Sequence, residues 1–430
     1  MTRHRCFTVI LCCLALTATA VLGSSFSTTP RSNNRIHVRP DTITVSGISS
    51  GAFFAVQYQT AFSSQIQGAA VVAGGPYLCA MGSIMGTTDC MYSPELLNQQ
   101  TLIDAVGQSY QEGNIDDPAN LQHQTVYLFS GLIDSLVNHG TMVMLSNIYT
   151  ALNVSNVTTY FDTIAEHACI TSDFGGSCTT LASPYINNCG IDFAGKFLET
   201  AFGRMSVNWN AKKATYPATK AYLRSFDQAP FGADPWTNSF ANTGYIFVPP
   251  QCVGENPKAC HLHMSFHGCE QGHYYVGETF VHHSQINQWA IANDIIVLYP
   301  QADPNELIGN PDGCFNWWGY NGDGDYAFRT GVQAAIVNRM MMFLIQNGTV
   351  PSGGAAPTPG PQPPSPPGPQ PPGPPPAPPA PTSYPTSCTN LPWGDSCNSA
   401  TSILVCPVGM TMDCMPGTTC TGVDGLAMCL

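Results

Sequence analysis

The sequence predicts an α/β fold with a mostly parallel central sheet, followed by a small disulfide-rich C-terminal module. Three observations carry this. Short apolar runs of strand length alternate with helical stretches from residue 43 to residue 346, the pattern of parallel strands joined by crossover helices. An early run ends in Gly47-Ile48-Ser49-Ser50-Gly51, a G-x-S-x-G turn of the kind that presents a serine between a strand and a helix. Residues 351–385 hold 18 of the chain's 36 prolines, so the globular part ends there and a stiff polyproline-II linker begins.

The elements follow in order. Ile43 and Val45 alternate with polar residues, as a strand does, and residues 52–62 are free of breakers and suit a helix. Residues 68–75 are a continuous apolar run, expected for a strand buried on both faces. Residues 76–120 show little periodicity and read as an irregular insertion. Strands are expected at 125–131 and 157–161, with a helix near 142–152 between them. The second half repeats this alternation, with strands at 244–249, 261–266 and 294–300, a helix at 281–293, and a long apolar helix at 328–346. Met340-Met341-Met342 in that last helix reads as core. The segment with Cys388 to Cys429 carries six cysteines. A segment this short buries too little to fold unaided, so disulfides are expected to staple it, with fifteen pairings open.

Composition bounds the compartment and the partners. The formal net charge is −13 and only 10% of residues are charged, which speaks against a nucleic-acid partner. Residues 1–23 read as a secretory signal: Arg3 and Arg5 precede a short apolar run ending in Val21-Leu22-Gly23. No later stretch has the length and apolarity of a membrane span. The expectation is a secreted, extracellular monomer with a catalytic domain at 24–350, a linker at 351–387 and a cysteine-rich module at 388–430. Of 18 cysteines, Cys6, Cys12 and Cys13 lie in the signal; most of the others should be disulfide-bonded in an oxidising compartment. Sequons at Asn153, Asn156 and Asn347 are glycosylation candidates.

The chemistry is read from order. Serine acyl transfer needs a base to take the hydroxyl proton and a carboxylate to orient the base. In α/β-hydrolases these follow as Ser, acid, His. Ser49, Asp134 and His167 appear in that order, each after an expected strand. His139, His263, His267, His282 and His283 compete for the role of base. The histidines lack the spacing of a zinc site, so no metal and no cofactor is expected. His267-Gly268-Cys269, a His-Gly oxyanion loop, lies far downstream of the serine rather than upstream, and the strand at 295–299 is displaced likewise. A circular permutation of an α/β-hydrolase accounts for both.

At this point the chain resembles the secreted, circularly permuted polyhydroxybutyrate depolymerases of fungal type. The matching blocks are Ser46-Gly47-Ile48-Ser49-Ser50-Gly51, Ala73-Gly74-Gly75-Pro76-Tyr77 with Cys79, Cys90-Met91-Tyr92, and Ser183-Pro184-Tyr185-Ile186 with Cys189. His267-Gly268-Cys269, Tyr299-Pro300-Gln301-Ala302, and Cys314 with Trp317 complete them. They run in the same order over roughly residues 40–347. The resemblance implies Ser49 as nucleophile, Asp134 as orienting acid and His167 as base. It implies an oxyanion hole from the Ser50 and Cys269 N–H groups, and Trp317 along the substrate groove. It also implies the disulfides Cys79–Cys90, Cys178–Cys189, Cys252–Cys260 and Cys269–Cys314. Cys169 has no place in that scheme, and Phe315 and Asn316 depart from the family's aromatic-acidic pair. The function expected is hydrolysis of a solid or oligomeric aliphatic polyester. The alternatives are a feruloyl or acetylxylan esterase with the same mechanism, and a non-catalytic secreted binding protein on a hydrolase scaffold.

Overall fold

In the computed structural model, the residues described are 34–203 and 213–353, together with the backbone of five short strands between 396 and 429. The chain divides into two compact units, Met1–Pro363 and Pro364–Leu430. The expected signal segment, most of the linker and the pairing of the last six cysteines lie outside the described residues.

The first unit runs β1 (His37–Ile48), α1 (Ser50–Ala61), β2 (Ile66–Val72), α2 (Ile84–Tyr92), α3 (Gln99–Gln111), β3 (Thr125–Gly131), α4 (His139–Ala151) and β4 (Asn156–Thr163). Three short strands follow, β5 (Cys169–Thr171), β6 (Gly176–Ser177) and β7 (Ile186–Asn188), then α5 (Phe193–Gly203), α6 (Tyr216–Thr219), β8 (Leu223–Asp227) and β9 (Thr243–Phe247). The unit closes with β10 (Ala259–Phe266), α7 (His273–Val276), α8 (Thr279–His283), α9 (Ile286–Ala290), β11 (Ile295–Tyr299) and α10 (Val332–Asn347). The main sheet has eight strands in the order β4-β3-β2-β1-β10-β11-β9-β8. The six from β4 to β11 are parallel. Next to β11, β9 runs antiparallel, and β8, antiparallel to β9, returns to the direction of the six. β1, which ends one residue before Ser49, therefore pairs with β10, which comes some 200 residues later, and the strand feeding the His267-Gly268-Cys269 loop follows the serine in the chain. That is the permuted α/β-hydrolase arrangement.

The register fixes where the chemistry sits. Ile48 pairs with Val72 and Gly47 with Phe266, so the segments leaving β1, β2 and β10 emerge together at the carboxyl edge of the sheet. Ligands of open α/β sheets gather at that edge. Two apolar cores flank the sheet. One gathers Val45, Phe54, Tyr58, Met142 and Met341, and the other Ile48, Phe53, Phe129, Phe197 and Val297. Helix α1 is buried along its whole length. Most of its polar atoms are paired, as buried polar groups require: Gln57 Nε2 donates to the Trp317 carbonyl (3.1 Å), and Gln59 donates to Gln124 (2.7 Å) and accepts from the Tyr149 hydroxyl (2.6 Å), while Gln57 Oε1 has no protein partner among the described residues.

Several expectations change. Residues 76–120 are not irregular: they hold α2 and α3. Helix α3 buries Leu102, Val106 and Ser109 on one face, and the Asn98 side chain caps it by accepting the Thr101 N–H (3.0 Å). Its stripe is only one residue wide per turn, too thin to show as periodicity. The helix expected at 281–293 is two shorter ones, α8 and α9, broken at Gln285, whose φ of 67° is left-handed. In the second unit the described strands are Ser396–Ser399, Ser402–Val405 and Met410–Asp413, which form a three-stranded antiparallel sheet, and Cys420–Val423 with Leu426–Cys429, which form a hairpin.

Candidate active site

The site is built on the turn after β1. Ser49 sits at φ 55°, ψ −126°, a conformation that L-residues rarely adopt and that is held only when the surroundings over-determine it. The two flanking glycines are what allow it. A Cβ on Gly47 would lie 2.1 Å from the Gly51 carbonyl oxygen, and one on Gly51 would lie 2.3 Å from that of His267. The turn is tied down by the Ser49 N–H donating to the Val72 carbonyl (3.0 Å) and by the Ser49 carbonyl accepting from Ala52 and Phe53. Ser50 opens α1, so its N–H is one of the helix's unpaired first-turn donors.

Asp134 follows β3 and His167 follows β4. The ring Nδ1 of His167 lies 2.9 and 3.0 Å from the two carboxylate oxygens of Asp134, with both side chains almost wholly buried. Asp134 is itself fixed by the N–H groups of Leu136 (3.0 Å) and Val137 (2.8 Å), which donate to Oδ1. With Nδ1 engaged, the ring turns Nε2 to the other side. Ser49 and His167 line one cleft, of about 260 Å³, together with Ile48, Met91, Leu136, Tyr185, Gly268, Cys269, Glu270, Gln271 and Asp312.

The His267-Gly268-Cys269 loop leaves β10 and passes against the serine: a Cβ on Gly268 would stand 3.2 Å from Ser49 Cβ. His267 is fully buried, its Nδ1–H donates to the Gly268 carbonyl (2.7 Å), and its Nε2 accepts the Ala302 N–H (3.1 Å). Both ring nitrogens are thus used by the neutral form, and burial pulls its pKa down to about 4. The Gly268 carbonyl also accepts the Gln271 N–H (3.2 Å). With that carbonyl pinned on one side, the planar trans peptide turns the Cys269 N–H to the other. Cys269 is bonded to Cys314, with Cα atoms 4.2 Å apart. The other described disulfides are Cys79–Cys90, Cys178–Cys189 and Cys252–Cys260. Cys169 is a free thiol whose pKa burial pushes up to about 12, which keeps it protonated.

The remaining histidines lie elsewhere. His263 is sandwiched between Thr44 Oγ1 (2.9 Å) and Ser46 Oγ (2.8 Å), and His261 bonds Thr42 Oγ1 (2.8 Å). His139 bonds Ser130 Oγ (3.1 Å), His282 faces Glu278 (3.0 Å), and His283 stacks on Phe174. Two expectations need correction. Trp317 does not line the cleft. It is 3% exposed and stacks on Phe53 with ring centroids 3.9 Å apart, because a buried aromatic pair removes more apolar surface from water than a rim position would. Asn156 is no free sequon: it is buried at the start of β4 and its amide donates to Thr125 Oγ1 (2.9 Å). Asn153 and Asn347 are exposed. Sequence reasoning missed Leu136, Glu270, Gln271 and Asp312. They share no spacing, and only the fold gathers them; Gln271 and Glu270, adjoining the His-Gly-Cys loop, were the two within reach of inspection.

No family model matches the chain. Curated relatives do. The chain is 38% identical over 317 residues to a poly(3-hydroxybutyrate) depolymerase of Delftia acidovorans, covering 73% of this chain and 61% of that protein. It thus spans less than two thirds of that relative. It is 34% identical over 328 residues to a polyhydroxybutyrate depolymerase of Talaromyces funiculosus, covering 72% of this chain and 91% of the relative. Among solved structures, the PHB depolymerase from Penicillium funiculosum superposes with a TM-score of 0.64 at 32% identity, over 74% of this chain and 99% of that one. A variant PHB depolymerase complexed with R3HB trimer matches with the same TM-score and coverage at 31% identity.

Proposed function

The chain belongs to the polyhydroxybutyrate depolymerase family, and we propose on that basis that it is a secreted serine esterase that hydrolyses polyhydroxybutyrate-type polyester to hydroxyacid monomers and oligomers. The observation that carries this is the pairing of His167 with Asp134 at the cleft lined by the strained Ser49. In this reading Ser49 Oγ attacks the ester carbonyl carbon while His167 Nε2 takes the hydroxyl proton. Asp134 holds the ring in the tautomer with a proton on Nδ1 and stabilises the imidazolium. The tetrahedral oxyanion receives the N–H groups of Ser50 and Cys269. Its collapse expels the alcohol end of the polymer, protonated by His167, and leaves an acyl-Ser49 that water hydrolyses by the same route in reverse order. Four disulfides in the first unit support an oxidising, extracellular setting. The mostly apolar lining near the serine, Ile48, Met91 and Leu136, suits an aliphatic acyl chain.

The test is turnover of p-nitrophenyl butyrate and of polyhydroxybutyrate granules by the intact protein and by Ser49→Ala. Both activities should fall by more than about a hundredfold in the variant. Granule hydrolysis absent in the wild type, with feruloyl or acetylxylan esters cleaved, would move the substrate assignment while keeping the mechanism. A Ser49→Ala variant that retains activity would end it.

A further inference from the structure

We propose that Gln271 is a positioning residue that locks the oxyanion loop to the segment following the base, so that the Cys269 N–H and His167 are held in one geometry before charge develops. The inference rests on the esterase reading of this cleft and extends it to a side chain that touches no reacting atom.

Gln271 is 1% exposed and uses every strong hydrogen-bonding face of its amide. Its Oε1 accepts the Gly268 N–H at 2.9 Å, and its Nε2 donates to the carbonyls of Pro184 (3.0 Å) and Tyr185 (2.8 Å). One donor on one side and two acceptors on the other settle which amide atom is which. The Gly268 N–H and the Gly268 carbonyl are therefore both held, the first by the Gln271 side chain and the second by His267 Nδ1 and the Gln271 backbone N–H. The peptide that carries the Cys269 N–H has little freedom left to rotate. At the far end, the Tyr185 carbonyl that Gln271 grips also accepts the Cys169 N–H (2.8 Å). Cys169 opens β5 two residues beyond His167, and β5 pairs with β7 directly after Tyr185. A single buried amide thus bridges the oxyanion loop and the chain that carries the base. Preorganised donors are effective because they need not reorient in the transition state. Losing the bridge should therefore slow the chemical step rather than weaken ground-state binding.

The test uses the full-length protein with p-nitrophenyl butyrate and an alkyl boronic acid, which forms an anionic tetrahedral adduct with the serine. Active sites are titrated with an organophosphonate, so that misfolded material does not enter kcat. Gln271→Met, close in volume but without the amide, should lower kcat per titrated site by about 10- to 100-fold, below the 10²- to 10³-fold typical of removing an oxyanion donor outright. KM should change less than threefold, and boronate affinity should fall in parallel with kcat. Gln271→Glu gives a second reading that does not depend on the first variant folding. A protonated carboxyl keeps the acceptor and one of the two donors of the glutamine amide, whereas the carboxylate faces two carbonyls. Its kcat relative to wild type should climb towards one as the pH is lowered. Variants with wild-type kcat and boronate affinity, or a Glu variant whose relative activity is flat with pH, would overturn the proposal. Granules left intact while the soluble ester is cleaved would count against the polyester assignment alone.

Discussion

At the scale of single residues, the cleft combines an apolar floor with charge of one sign. Glu270 and Asp312 line it, and no lysine or arginine among the described residues does. Tyr185 holds Glu270 by donating its hydroxyl to Oε2 (2.6 Å), and the Glu270 N–H donates to the Asp312 carbonyl (2.8 Å). Burial, then the nearby Glu270 charge, raises the pKa of Asp312. A neutral ester segment is indifferent to this wall, whereas the carboxylate released on hydrolysis is repelled by it. One unit charge about 8 Å away at an effective dielectric near 40 is worth about 1 kcal/mol, or roughly fivefold. We expect mono-p-nitrophenyl glutarate to be cleaved with a kcat/KM at least tenfold below that of p-nitrophenyl valerate, whose acyl chain has the same number of carbons and no charge. Asp312→Asn should narrow that ratio several-fold, and salt should narrow it in the wild type, since the screening length near physiological ionic strength is about 8 Å. A ratio close to one would remove any electrostatic role for these residues. Ser49, Asp134 and His167 were legible from chain order and strand ends. Glu270 and Asp312 were not, because a carboxylate 42 positions from another announces nothing until a disulfide and a loop bring both to one wall.

At the scale of elements, the central contact is between β1, which ends at the serine, and β10, which feeds the oxyanion loop. Buried histidines knit the two strands: His261 to Thr42, and His263 to Thr44 and Ser46. Burial lowers the pKa of His261 to about 4, that of His263 to about 3 and that of His267 to about 4. These groups are neutral when folded and titrate near 6.5 when unfolded. The unfolded chain therefore binds more protons as the pH drops below about 6.5, and stability is lost from there down through the folded values, while above 6.5 the term is constant. Each fully buried ring contributes on the order of 3 kcal/mol of this sensitivity. Thermal unfolding should accordingly show a Tm that is level above pH 7 and falls steeply between pH 6.5 and 4. His263→Gln should flatten that slope even though it lowers the Tm at neutral pH. An unchanged slope would show that these rings do not set acid stability. The strands β2, β3 and β11 were readable because strands buried on both faces are continuous apolar runs, and β1 because Ile43 and Val45 alternate with polar residues. Helix α3 and the small β5–β7 sheet were not, since their stability comes from tertiary packing and a disulfide rather than from local pattern.

At the scale of the whole molecule, the chain joins a catalytic unit to a cysteine-rich one through the proline-rich stretch. We propose that the tail keeps the esterase at a polymer surface between cuts, its gain being effective concentration rather than any new contact at the active site. Trp393 is the one aromatic residue from 388 to 430, so such a grip would draw on aliphatic rather than aromatic composition, which suits an aliphatic polyester. The cut that tests this has to respect the fold. Val350 is buried and its N–H donates to the Asn34 carbonyl (2.9 Å), while the Ser352 carbonyl accepts the Asp227 N–H (3.1 Å) at the edge strand β8. A truncation after Gly348 would strip those contacts, whereas one after Gly353 keeps them. The protein ending at Gly353 should retain the full-length kcat and KM on p-nitrophenyl butyrate. It should adsorb to polyhydroxybutyrate granules at least tenfold more weakly, a threshold set below the 10²- to 10⁴-fold that tethering can deliver, and erode them correspondingly more slowly. Both differences should vanish on dissolved trimers, where there is no surface to be tethered to. Equal granule adsorption by the two proteins would exclude the polymer as the partner of the tail and assign the module to attachment elsewhere, leaving the catalytic unit to find its substrate through its own cleft.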